Sequence, residues 1–218
     1  MGGLSSKPCP WDALSDSPVL VDTGTVDLPG GLASSTALLR TKVKGKTVTV
    51  LDGFDKTTVL YSVKKKHGKG TVTNASGQLI MNFKKLYNTK VFDPASGKLI
   101  VDMKVNYPWC HFLTPRWEFV LHRPDGRSIT VQVVEQKPEN WTVFSIDEKT
   151  IAICSTKFTG PDGKEINYKR NTGILIARGV DLGLAALLVS LMQLRVEDTL
   201  SDTIELGSNV GCGFLGAV

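Results

Sequence analysis

"GVDLGLAALLVSLMQLR", Gly179 to Arg195, is the most apolar stretch of the chain, and its reading decides the fold. Sixteen residues separate Arg178 from Arg195. As a helix rising about 1.5 Å per residue they reach about 24 Å, whereas the hydrocarbon core of a bilayer is about 30 Å thick and takes about 20 residues. Asp181 lies inside even this short span, and the uninterrupted apolar part runs only from Leu182 to Met192. Length and charge together predict a core helix over about 181–194. Its ends fit that reading: Asp181 suits the N-terminus and Arg195 complements the C-terminal dipole. Leu182, Leu184, Leu187, Leu188, Val189, Leu191 and Met192 leave no polar face, and Gly183, Ala185 and Ala186 allow close neighbours. A helix apolar all round must be enclosed on every side. Burying seven such side chains contributes at most on the order of 10–20 kcal/mol.

What could enclose it is written in the preceding 140 residues, which carry no amphipathic helix and read as short strands. "TKVKGKTVTVLDG" alternates valine with lysine and threonine up to an Asp52-Gly53 turn. "KTTVLYSVKKKHGKGTVTN" reads as strand, basic turn and strand, with Gly68 and Gly70 expected to supply positive φ. "ASGQLIMNF" (75–83) and "ASGKLIVDM" (95–103) each place a turn before an apolar strand, at the spacing of successive hairpins. "RWEFVLHRPDGRSITVQVVEQ" puts Trp117, Phe119 and Leu121 on one side, turns at Pro124-Asp125-Gly126, and sets Ile129, Val131 and Val133 in alternation. "NWTVFSI", "TIAICSTKF" and "GILIAR" complete ten to twelve strands. The expected fold is mainly β: a closed antiparallel barrel of about 12 strands around the C-terminal helix. Residues 1–35 form an irregular N-terminal segment, 36–195 the barrel with its helix, and 196–218 a C-terminal extension.

Composition suits one globular domain, with 41% hydrophobic and 22% charged residues in 218. No basic start followed by an apolar run opens the sequence, so the expected location is cytoplasmic and the four scattered cysteines are expected to be free thiols. The net charge of +5 conceals an asymmetry. Residues 40–90 hold twelve Lys or Arg against Asp52 and Asp55, a local excess of ten positive charges. A segment so one-sided points to an anionic partner.

Three stretches carry a resemblance to a known family: "NTKVFDPASGKLIVDMK", "LTPRWEFVLHRPDGR" and "ILIARGVDLGLAALLVSLMQL". Over about residues 36–195 the chain resembles the tubby C-terminal-like superfamily, and within it the LURP-one-related proteins, with phospholipid scramblases as more distant relatives. The resemblance implies a twelve-strand barrel wrapping a central helix. It also implies phosphoinositide binding, though no residue-level match to a tubby lipid site is present. The acidic calcium-binding segment of scramblases is missing beside the helix, where only Asp181 stands, so neither calcium binding nor scrambling carries over.

Catalysis finds little footing. Cys110 and His111 are adjacent, but neighbours on a strand face opposite ways. No metal-ligand spacing, nucleophile elbow or phosphate loop occurs, and neither a cofactor nor a metal is expected. Anion binding has better support. Lys64, Lys65, Lys66 and Lys69 crowd one turn, and Lys84 and Lys85 (with Lys90) follow from a neighbouring strand. Their expected ligand is an anionic phospholipid headgroup at a membrane surface. Nucleic acid is disfavoured, because the basic segment holds few aromatics and no recognition helix. "MGGLSS" fits the N-myristoylation pattern on Gly2, with Cys9 nearby for a second acyl chain. The leading expectation is a non-catalytic peripheral membrane or phosphoinositide-binding module. A protein-interaction scaffold in defence or stress signalling is the alternative. A small-molecule enzyme, the third, requires a pocket lined by Cys110, His111 or His122.

Overall fold

A computed structural model of the protein describes residues 10–11, 13–14, 33–53, 57–85, 89–106, 116–136, 140–159, 164–168 and 171–194. The strands are β1 (Ala37–Lys44), β2 (Thr47–Asp52), β3 (Val59–Lys66), β4 (Lys69–Asn74), β5 (Leu79–Lys85), β6 (Thr89–Phe92), β7 (Leu99–Asn106), β8 (Arg116–His122), β9 (Ser128–Gln136), β10 (Trp141–Ile146), β11 (Lys149–Ser155), β12 (Lys157–Thr159), β13 (Glu165–Asn167) and β14 (Thr172–Ile176). Helix α1 occupies residues 182–194. Twelve strands close an antiparallel barrel in the order β1-β14-β11-β10-β9-β8-β7-β6-β5-β4-β3-β2, and β12 and β13 pair separately outside it.

Strand count and contents match. Twelve strands about 4.8 Å apart give a circumference on the order of 60 Å, or a diameter of about 18–24 Å once strands tilt. That leaves room for one helix about 10–12 Å across with its side chains. Within α1 every residue from Gly183 to Leu191 is buried, as an all-apolar helix demands. Val50, Val63, Val72, Met81, Val91, Met103, Phe119 and Val131, one set from each successive strand, are at most 1% exposed. Outward neighbours such as Lys64, Lys66, Thr130 and Gln132 are exposed. This apolar-in, polar-out alternation is the reverse of a lipid-facing barrel. Among the described residues no helix is long and apolar enough to cross a membrane.

Polar contacts fix the helix inside. The Leu184 N–H donates to Asp181 Oδ1 at 2.7 Å, so Asp181 caps the N-terminus as expected. The Tyr61 hydroxyl donates to the Gly183 carbonyl at 2.6 Å, tying β3 to the first turn. At the opposite end Gln193 Nε2 donates to Thr41 Oγ1 (3.0 Å) and Thr172 Oγ1 (2.8 Å). Ser190, a hydroxyl in the core, is satisfied within the helix by donating to the Ala186 carbonyl.

Part of the barrel has a second, outer layer. β14 is buried from Gly173 through Ile176 and β11 from Ile151 through Ser155, on both faces. Phe158, within β12, and Tyr168, just after β13, stack edge to face over β14. A Cβ at Gly173 would lie 2.7 Å from Phe158 and closer still to Tyr168, so only glycine admits this cover. Leu14 is buried and Trp11 partly so, both packed on the same core, while Ala33 bonds backbone to backbone with Gly179 and Val180.

Two local expectations change. "TIAICSTKF" is not one strand: it breaks at Thr156, where the Ser155 hydroxyl accepts the Lys157 N–H and redirects the chain out of the barrel. Gly70 does not supply positive φ. The tight β3–β4 turn uses His67 (φ 47°) and Gly68 (φ 73°), the two left-handed residues of a type I′ hairpin. Gly70 sits within β4 opposite Phe83, whose ring occupies the place of a Cβ. The paired "ASG" phrases do form matching turns, with Gly77 at φ 83° and Gly97 at φ 68° before β5 and β7.

Candidate functional site

The two-residue turn His67-Gly68 sets the register of everything around it. It pairs Lys66 with Lys69 directly across β3 and β4. β4 then places Lys69 opposite Lys84, β5 places Lys84 opposite Lys90, and the row ends where Lys90 faces Asp102. Four lysines from four adjacent strands thus stand side by side, each step about 4.8 Å. A second row runs Lys44, Thr47, Lys64, Thr71 and Asn82 to Phe92. Like charges directly opposite each other destabilise a sheet, so this arrangement works against folding.

Among the described residues the register sets a carboxylate against the row only at its end, where Asp102 faces Lys90. From Ala37 to Phe92 the chain carries only Asp52 and Asp55, and Asp52 lies at the far end of β2, opposite Leu39. Further round, Lys104 pairs with Glu118 at 3.8 Å, an ordinary surface ion pair. Beside the lysine row lies a depression of about 690 Å³, lined by Lys64, Lys66, His67, Lys69, Thr71, Asn82 and Lys84, with Phe83 and Gly70. Among the described residues no carboxylate lines it. Lys84 Nζ stands 5.8 Å from the centre of the Phe92 ring, a cation–π approach that steadies this side chain on the surface.

Of the six lysines expected from sequence, Lys64, Lys66, Lys69 and Lys84 converge here. Lys65 does not. Strand alternation turns it to the inner face, where it is 9% exposed and its N–H donates to the Lys46 carbonyl at 2.8 Å. Three consecutive lysines cannot share one face of a strand, which was readable in "KKK". The side chain of Lys85 lies outside the described residues, as do Gly2, Cys9, Cys110, His111 and residues 195–218. Conversely, Lys90, His67, Thr71 and Asn82 complete the rows and the depression. Cross-strand register assembles them, and no local pattern in the sequence announces it.

Nothing among the described residues forms a catalytic set. Burial alone pushes the Cys154 thiol far above its ordinary value, which makes it a poor nucleophile. His122, at the end of β8, has its Nδ1 3.3 Å from the hydroxyl of Ser128, its cross-strand partner on β9, and no carboxylate among the described residues orients it. No group of three or more His, Cys, Asp or Glu among the described residues could hold a metal ion.

The fold has a solved counterpart. An Arabidopsis thaliana protein, AT5G01750, whose structure was determined by X-ray methods, superposes with a TM-score of 0.55 at 18% identity, over 81% of this chain and 98% of that one. At that identity the likeness is one of fold alone. No protein-family model matches this sequence, and no curated protein matches it.

Proposed function

We propose that the protein is a non-catalytic module that docks on membranes through anionic, phosphate-bearing headgroups, with phosphoinositides as the fitting class. One observation carries this reading: the unbroken row Lys66, Lys69, Lys84 and Lys90, set against one another across four strands with no carboxylate among them. A multiply charged anion laid along the row would offset three repulsive contacts with its own attraction to each lysine. The depression beside it offers Lys64, Thr71 and Asn82 as further donors to phosphate oxygens. Each lysine near an anionic surface contributes about 1 kcal/mol.

The resemblance to the tubby C-terminal-like superfamily supports the same ligand class. An acyl chain on Gly2, and a second on Cys9, would add to a basic patch in the way that stable peripheral attachment requires. Vesicle flotation at physiological salt, with a panel of phosphoinositides, tests the proposal. The wild-type protein floats with phosphoinositide vesicles, and Lys66→Glu with Lys84→Glu abolishes flotation while the thermal transition persists. Wild-type protein that stays at the bottom with every lipid overturns it and leaves a protein partner as the alternative.

A further inference from the structure

His67 takes the first left-handed position of the β3–β4 turn. At φ 47° it occupies the left-handed region, where histidine, like asparagine and aspartate, occurs more often than other non-glycine residues. The residue also lines the basic depression. Around it stand Lys64 and Lys66 from β3, Lys69 from β4 and Lys84 from β5. Lys46 in the β1–β2 turn lies alongside through its carbonyl contact with the Lys65 N–H. All these groups are cationic, and among the described residues no carboxylate lines the depression with them.

We propose that His67 makes anion binding at this site proton-linked, so that the site holds phosphate-bearing ligands more tightly as pH falls below neutral. This rests on the anion-binding reading above. Imidazole is the side chain that changes charge between pH 5 and 8. An anion seated among the lysines beside His67 favours the charged form of the ring. By linkage, whatever favours protonation on binding strengthens binding on protonation. One added charge about 5–7 Å from the ligand, in surroundings screened nearly as well as water, corresponds to a gain of roughly three- to tenfold in affinity.

Phosphate monoesters themselves titrate near pH 6, so the informative quantity is the ratio of two proteins on the same vesicles. Wild type and His67→Asn are compared by flotation with phosphatidylcholine vesicles containing phosphatidylinositol 4,5-bisphosphate, at pH 7.5, 6.5 and 5.5. Asparagine accepts the left-handed turn, and the thermal transition verifies the fold. The expected result is a wild-type to variant affinity ratio that rises about three- to tenfold from pH 7.5 to 5.5. A constant ratio with binding intact overturns the proton linkage alone. Failure of both proteins to bind at every pH overturns the linkage and the anion site together. Soluble inositol hexakisphosphate as competitor separates headgroup from bilayer: displacement at all three pH values assigns the linkage to phosphate recognition, and failure to displace assigns binding to the membrane surface and removes His67 from its cause.

Discussion

Replacing Lys69 by glutamine should make the protein more stable and a poorer ligand binder at once. Lys69 stands directly opposite Lys66 on one side and Lys84 on the other, so its removal relieves two like-charge contacts. Cross-strand pair interactions run at about 0.2–1 kcal/mol each, which sets the expected gain at about 0.4–2 kcal/mol at low ionic strength. For a chain of this size that raises the melting temperature by roughly 1–8 °C. Because the pairs are exposed, salt screens them, and the gain should fade toward zero at about 1 M salt, where the screening length is about 3 Å. Lys42 is the control: exposed as well, it faces Thr49 across β2, and Lys42→Gln should change stability by less than about 0.5 kcal/mol. Denaturant unfolding of the three proteins at two salt concentrations reads the effect. In parallel, Lys69→Gln should weaken headgroup binding by about 1 kcal/mol, close to fivefold. A destabilised Lys69→Gln protein, or a gain indifferent to salt, would refute the claim that the lysine row is held together against its own repulsion.

Other outcomes follow from the packing. Tyr61→Phe strands the buried Gly183 carbonyl and should cost about 1–3 kcal/mol in denaturant unfolding. Burial first, and the Asp181 charge second, hold the Tyr61 phenol well above its ordinary value. Its folded value thus exceeds the unfolded one, so this stabilisation is intact below about pH 10 and is lost as pH rises beyond it. Absorbance at 295 nm should show one tyrosine ionising only with unfolding, absent in Tyr61→Phe. Gly173→Ala forces the Phe158 and Tyr168 rings apart and should destabilise by about 1–3 kcal/mol, with the β12–β13 pair exchanging amide hydrogens faster. Glu148 sits at φ 65° in a two-residue Asp147-Glu148 turn, so Glu148→Gly should raise stability by up to about 1 kcal/mol, measured by thermal unfolding.

The architecture was legible because one element constrained all others. An apolar helix with no polar face, in a chain otherwise made of alternating strands, has one packing solution, and the barrel around α1 is that solution. The basic site was only half legible. Lysines local in sequence could be counted, but which of them share a surface depends on alternation and register. Alternation sends Lys65 inward between Lys64 and Lys66, a deduction available from period two alone. Register brings Lys90 into line with Lys84, and that depends on the length of the β5–β6 connection. His67 joins the lysines only because the β3–β4 turn carries it to the edge of the depression. The break after Ser155 was hidden because Phe158, beyond the polar Ser155-Thr156-Lys157, reads as the next core residue, whereas it is buried by the outer layer.

The most direct test of the lysine site is nuclear magnetic resonance of the full chain titrated with soluble inositol phosphate headgroup, following backbone amides and lysine side chains. The account predicts shifts confined to Lys64, Lys66, His67, Lys69, Thr71, Asn82, Lys84 and Lys90, with Lys42 and the Asn74–Gln78 turn silent. Shifts that map to another face of the barrel, or none at saturating headgroup, would contradict it.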